Sequence, residues 1–424
     1  MLPVKNWAKN LSFHPQEIHS PHDENELVRI LKNNPKRKVR VRGSAHSWTG
    51  GIVSDDIFIH LDKMQGLLSF DKTASTATAY TGTKLSLLCE EIFKHDLAMI
   101  NQGDINKQSL AGALSTGTHG TGVKLQSISN QVLSTKLVTA QGEVLEINSG
   151  DLKDALGVSF GSLGILSEVK LQLRPSYRLK LESFAEDMNE ALLKVDQRRE
   201  SNRHFEMFYF PVGDWSLIKM MNETNEDVSI TGLSDRINDV VIENWLYELL
   251  NRLAASTKSY KKIDSLMRTF ISPQKRVNWS HRLFPTDRNV RFMEMEYNLP
   301  LEKFEVVFDE MKWAINKGKF QTLLPIEIRF VKGDTLLLSP AYGRDSVYFA
   351  VHTYVKEDYR PYFLVMEEIF KRHKGRPHWG KMHTLKAVDL KEIYPRWEDF
   401  CDLRKKLDPH GIFINNHLKE LFGL

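Results

Sequence analysis

The sequence predicts an α+β fold: a first unit of short strands and helices, then a large antiparallel sheet covered on one face by helices. Three observations carry this expectation. Up to about residue 178, β-branched and aromatic runs alternate with short amphipathic helical patterns. Pro175 punctuates the end of that unit, and from about Leu179 longer charged helical segments alternate with strands. In the later part, consecutive strands are followed by helices able to cover one side, the pattern of an antiparallel sheet with one helical face.

The elements follow in order. Residues 23–32 place Leu27, Ile30 and Leu31 on one helical face, and Pro35 stops the helix. A strand over 38–42 enters a loop of small residues, and 57–61 and 77–81 are further strands. Residues 85–95 form a second helix through Leu85, Leu88 and Ile92. Strands over 131–138 and 143–147 join through a Gln141-Gly142 turn as a hairpin. The run 161–166 then leads into an alternating strand over 167–173. In the second part, helices are expected at 185–200, 235–256 and 302–317, and strands at 205–210, 291–297, 323–331, 335–338 and 346–355. The last segment carries a short helix from Leu390 and a Pro409-His410-Gly411 turn.

Composition narrows the function classes. The 424 residues suffice for two or three domains, and 41% apolar with 26% charged residues is ordinary for a globular protein. A net charge of +4 is too mild to argue for nucleic acid or an anionic membrane surface. Cys89 and Cys401 make no disulfide framework, and neither H-E-x-x-H nor C-x-x-C occurs, so no metal is expected. No apolar run of about 18 residues is present, and residues 1–7 lack the pattern of a secretion signal, so a cytoplasmic protein without a membrane span is expected. Oligomeric state is open, and a monomer is compatible with these features.

Two loops stand out. In the first, Arg42-Gly43-Ser44-Ala45-His46-Ser47, glycine lets the backbone approach a ligand, the serines offer hydroxyls, and His46 is the one nucleophile. The second, 109–122, holds Ser109, Gly112, Ala113, Thr116, Gly117, Thr118, His119 and Gly120, with no carboxylate or lysine. Such a loop can wrap an anionic cofactor through N–H and hydroxyl donors. It is neither a P-loop nor a G-x-G-x-x-G dinucleotide fingerprint.

Together the two loops resemble the flavin-binding half of the vanillyl-alcohol oxidase superfamily, in particular the sugar-1,4-lactone and alditol oxidases. The resemblance implies an FAD-binding domain of two α+β subdomains (1–178), a substrate-binding cap domain (179–375), and a C-terminal segment (376–424) returning to the active site. It implies FAD carried on His46 by a covalent bond, at a loop position where the family usually has glycine in place of Ala45. Gly103, Asp104, Gly164 and Ile165 join the loop residues as implied cofactor contacts. It also implies molecular oxygen as electron acceptor, with hydrogen peroxide formed.

In the second part, Glu327 and Arg329 stand two apart in a strand, so both charges share one face while Ile326, Ile328 and Phe330 take the other. The plain reading is a solvated ion pair that contributes at most about 1 kcal/mol. The other reading is a face that looks into a cavity. The stretches 339–346 and 376–381 resemble alditol oxidases, in which a Glu-x-Arg pair and the lysine of H-W-G-K line the substrate face. By position these are Glu327, Arg329 and Lys381, and His352 is a candidate base. Two positions depart from alditol oxidases. His352 and Thr353 are adjacent where an H-x-T pattern is usual, and Asp104 replaces serine. Gly103 matches the N-x-G of the lactone oxidases. The expected substrate is therefore an aldono-1,4-lactone, with an alditol, a dehydrogenase using another acceptor, or a non-enzymatic nucleotide-binding protein as alternatives.

Overall fold

The computed structural model describes residues 3–229, 247–286 and 290–424. Three strands, β1 (Glu17–His19), β2 (Val39–Arg42) and β3 (Ile57–His60), form a small parallel sheet in the order β1-β3-β2. The helix between β1 and β2, α1 (Glu24–Asn33), starts because the Asp23 side chain accepts a hydrogen bond from the Glu26 amide. It buries Leu27 and Leu31 against Val39, Ile57 and Ile59. The hairpin expected at Gln141-Gly142 is present, with Gly142 at φ 72° and its amide bonded to the Thr139 carbonyl. Its strands, β6 (Val132–Val138) and β7 (Val144–Ile147), join a five-stranded antiparallel sheet. The others are β4 (Leu67–Asp71), β5 (Thr76–Tyr80) and β8 (Ile165–Gln172), in the order β7-β6-β8-β5-β4.

The second half is built on an eight-stranded antiparallel sheet. Its strands are β9 (Arg178–Asp187), β10 (His204–Phe210), β11 (Trp215–Thr224), β12 (Gln274–Trp279), β13 (Phe292–Pro300), β14 (Ile326–Val331), β15 (Ser346–Tyr354) and β16 (Arg376–Pro377). The spatial order is β12-β9-β11-β10-β14-β15-β13-β16. One face carries Met207, Ile328, Phe330, Phe349, Val351, Met295 and Tyr297 into the main core. There they meet Phe304, Phe308 and Met311 of the helix Phe304–Gly318, and Tyr362, Met366 and Phe370 of the helix Arg360–Arg372. Alternation puts the residues between them on the opposite face, which turns toward the N-terminal loops.

Several expectations are corrected. Residues 335–338 are not a strand: Asp334 accepts from the Leu336 amide and the Ser339 hydroxyl and closes a turn. Residues 185–187 continue β9, and the helical stretch that follows is split into Met188–Leu193 and Val195–Ser201. Of the helix expected over 235–256, residues 235–246 lie outside the described residues, and Tyr247–Thr257 is helical. The segment 109–122 is not all loop, since Leu110–Ser115 is a short helix capped by Ser109. The C-terminal helix begins at Ala387 rather than Leu390, and Trp397–Leu407 and Asn416–Phe422 are helices the patterning did not reveal.

Candidate active site

The first loop leaves β2 and meets the second directly. A Cβ added at Gly43 would fall 1.7 Å from Ser109 Oγ, so glycine lets the first loop pack against the serine that caps the second. Ala45 sits at φ 55°, the left-handed region that favours glycine. His46 stacks on Trp7 with ring centroids 6.0 Å apart. Burial, then the charges of Lys381 and Lys84, push its imidazole down to about 4, so it is neutral with a free lone pair at neutral pH. Among the described residues, Ser44 Oγ is buried with no hydrogen-bond partner, as is Arg42 Nε, while Arg42 Nη2 reaches Asp62 at 3.2 Å. The Trp48 amide donates to the Gly380 carbonyl at 2.8 Å, which ties this loop to the segment carrying Lys381.

In the second loop, Thr116 donates to the Gly112 carbonyl, Ala113 is buried, and Gly117 turns the chain at φ 73°. The Thr118 amide donates to the Ala113 carbonyl. A Cβ at Gly120 would meet the Gln102 carbonyl oxygen at 2.3 Å. Gly103 is not in the left-handed region, and a Cβ there would stand 2.7 Å from the Thr118 methyl. Asp104 accepts from the Thr286 hydroxyl at 2.8 Å. Ser47 is half-buried and would sit 3.2 Å from a Cβ at Gly380. Ile165 opens β8 opposite Val138, and Gly164 just before it holds φ 150° with Leu137 and Val138 where a Cβ would stand.

The polar face of the eight-stranded sheet lies beside these loops. Register places Glu206, Arg329, Tyr348 and Asn298 in one cross-strand row, and Phe208, Glu327, Ala350 and Glu296 in the next. His352 pairs with Glu294 in a third. The pairing along β15 runs unbroken, so His352 shares the face of Glu327 and Arg329 and Thr353 points the other way. Arg329 Nε donates to Glu206 at 2.9 Å, Nη2 pairs with Glu327, and Asp104 Oδ2 lies 3.8 Å from Nη2. Of the two readings of the pair, the solvated one is set aside, because both Glu327 and Arg329 are over nine-tenths buried.

Lys381 sits 2.5 Å from Glu294, 4.0 Å from Glu296, and over the Trp48 ring. Burial would raise the Glu294 carboxyl, but Lys381 and His352 outweigh it and hold it well below the usual carboxylate range. His119, tilted against the Tyr348 ring at 3.7 Å, lies 3.1 Å from Glu296 and donates its Nδ1 hydrogen to the Gly120 carbonyl.

Glu206, Glu294, Glu296, Tyr348 and His378 are site residues that sequence reasoning missed. The M-E-M-E-Y alternation over 293–297 carries the same signal as I-E-I-R-F and would have found two of them. The ligating atoms of His119, Glu296 and His378 lie within 4.8 Å of one another, which is metal-like spacing. The Gly380 amide, however, donates to His378 Nδ1, which leaves Nε2 protonated in the neutral ring, and Lys381 already supplies positive charge. With Nε2 of His378 protonated, only His119 Nε2 and Glu296 keep lone pairs for an ion among the described residues, too few for a metal site.

Known proteins share this architecture. Residues 169–421 match the family profile of D-arabinono-1,4-lactone oxidase, and residues 15–148 match that of an FAD binding domain. The chain is 35% identical to L-gulono-1,4-lactone dehydrogenase of Mycobacterium tuberculosis over the whole of both chains. It is 32% identical to L-gulonolactone oxidase of Mus musculus, covering 99% of this chain and 98% of that one. Alditol oxidase of a Streptomyces species is 27% identical, with 99% and 98% covered. The solved cholesterol oxidase of B. sterolicum superposes with a TM-score of 0.81 over 99% of this chain and 96% of its own, at 17% identity, a likeness of fold. The loops fit a flavin dinucleotide in that Ser44 Oγ is a buried hydroxyl with no hydrogen-bond partner among the described residues, a donor left for a bound group.

Proposed function

The chain belongs to the D-arabinono-1,4-lactone oxidase family, and from that premise we propose that it oxidises a hydroxyl of an aldono-1,4-lactone, using FAD held by the two small-residue loops. The carrying observation is that Glu327, Arg329 and His352 share one sheet face, with Lys381 beside them against Glu294. FAD, when bound, supplies the acceptor for the hydride that leaves the alcohol carbon. We assign residues 1–178 and 376–424 to holding it and residues 179–375 to the substrate.

The chain's own groups then divide the work. A sugar lactone is neutral and rich in O–H donors, and Glu206, Glu327 and Glu294 are acceptors on this face. Arg329 and Lys381 supply fixed positive charge where an alkoxide develops, in a site with little water. His352 donates its Nδ1 hydrogen to the Pro325 carbonyl at 2.8 Å, so Nε2 of the neutral ring is free to accept the hydroxyl proton.

Three finer points belong to the same reading. FAD is carried covalently on His46, whose neutral imidazole is a competent nucleophile. Oxygen is the acceptor, a reading supported by Gly103 just before the second loop, at the position where the resemblance to lactone oxidases implies that a side chain distinguishes dehydrogenases from oxidases. The protein works in the cytoplasm. A screen of aldonolactones and alditols with peroxide detection tests the assignment: turnover of an aldonolactone is expected, and turnover of alditols alone would replace the substrate class.

A further inference from the structure

The third cross-strand row contains a carboxylate, Glu294, whose bridge between Lys381 and His352 goes beyond accepting a substrate hydroxyl. Glu294 is 4% exposed, on β13 directly opposite His352. One oxygen, Oε2, is 2.5 Å from Lys381 Nζ, and the other, Oε1, is 3.5 Å from His352 Nε2. The histidine tautomer follows from its other nitrogen. A carbonyl oxygen only accepts, so Nδ1, 2.8 Å from the Pro325 oxygen, carries the hydrogen. Nε2 of the neutral ring therefore presents a lone pair beside an anionic oxygen. Two acceptors side by side form a notch that is satisfied only by a donor, and a sugar hydroxyl is one. Around this pair, the Phe292 ring packs edge-on against His352 at 5.0 Å, Glu327 on β14 is engaged by Arg329, and the Lys381 ammonium is held on the far oxygen of Glu294.

Building on the reading of this face as the substrate face, we propose that Glu294 is a positioning residue of the oxidation, bridging Lys381 and His352 so that the histidine rather than the carboxylate takes the hydroxyl proton. The balance is simple. The substrate O–H bond breaks and an N–H bond forms at His352 Nε2, while the hydride of the same carbon goes to the flavin as oxidant. The imidazolium so formed faces the Glu294 carboxylate, which stabilises it. The ammonium of Lys381 on the other oxygen keeps Glu294 ionised, so the proton does not come to rest there. The arrangement follows the logic of an acid-oriented histidine base, with the carboxylate in the row opposite rather than on Nδ1.

The test has two arms on the FAD-loaded protein. In the first, histidine-labelled protein is titrated by NMR without substrate, the His352 signal being identified by its loss in His352→Gln. Glu294→Gln should lower the His352 titration midpoint by about one pH unit or more, because an adjacent carboxylate favours the protonated ring. An unchanged midpoint overturns the proposal, and this arm does not depend on what the enzyme oxidises. In the second, the rate of anaerobic flavin reduction by an aldonolactone is measured against pH. Glu294→Gln should slow the high-pH plateau by on the order of 10-fold to 10²-fold and move the acidic limb to lower pH. Glu294→Asp, which keeps the charge, should restore part of the rate and keep the limb near its original position. Loss of rate by the same factor at every pH, in both variants, would make Glu294 a structural residue. Failure of the unmodified protein to be reduced by any aldonolactone would count against the function reading while leaving the first arm standing.

Discussion

Arg329 and Glu206 are joined across neighbouring strands by an Nε–Oε2 hydrogen bond of 2.9 Å, and the far nitrogen of the same arginine turns to Glu327 and Asp104. One guanidinium therefore stands among three carboxylates contributed by two sheet strands and the N-terminal unit. Burial alone would weaken its hold on its proton, but Glu327, Glu206 and Asp104 hold it far above the ordinary value. Arg329→Lys keeps the charge and loses the fork, so turnover should fall by on the order of 10²-fold with the fold retained. Arg329→Ala should also destabilise the protein by about 3–5 kcal/mol, since it strands buried carboxylates. Denaturant unfolding within about 1 kcal/mol of the unmodified protein would return the pair to the status of a solvated one.

His46 is the sole attachment point in the account. After acid precipitation, yellow colour should remain with the pellet, and His46→Ala should release the flavin to the supernatant. Flavin lost entirely from the unmodified protein on precipitation ends the covalent assignment.

Gly103 has a backbone that any residue can adopt, so left-handed geometry does not explain it. No methyl-sized gap is open here: the methyl of Gly103→Ala would stand 2.7 Å from Thr118 Cγ2 and push that side chain aside. Stopped-flow measurement should show slower reoxidation by oxygen with flavin reduction nearly unchanged. Equal slowing of both half-reactions would give the glycine to the loop's packing instead.

Acid should act on this fold in two stages. Burial lowers His204 to about 3 and His378 to about 4, from an ordinary 6.5, so both are neutral in the native state. Below pH 6.5 the unfolded chain binds protons the folded one does not, and stability falls as pH drops from 6.5 toward 4. Glu294 and Glu296, held below their ordinary 4.5, add a loss only under that value. The melting temperature measured against pH should begin to fall near 6.5; a single onset near 4.5 would show that the histidines titrate alike in both states.

Much of this was legible because it is local. Glycine, serine and threonine runs mark loops that approach a ligand, and alternation alone put Glu327 and Arg329 on one face opposite Ile328. Asp23 and the Gln141-Gly142 turn announced their helix and hairpin for equally local reasons. What stayed hidden depends on register between distant strands. Glu206 lies in an aromatic run and becomes a partner of Arg329 only when β10 pairs with β14, more than a hundred residues later. Residues 335–338 read as a strand by composition, yet the side chain of Asp334 bends them into a turn. The burial of Arg329 was equally invisible, since it is the N-terminal unit, through Asp104, that closes over it.

The most direct measurement of the central claim is anaerobic mixing of the purified yellow protein with an aldono-1,4-lactone while the visible flavin absorbance is followed. The account predicts rapid bleaching by the lactone, lost in Arg329→Lys and His352→Gln, with alditols slower. A protein that binds flavin but is bleached by neither lactones nor alditols would contradict it.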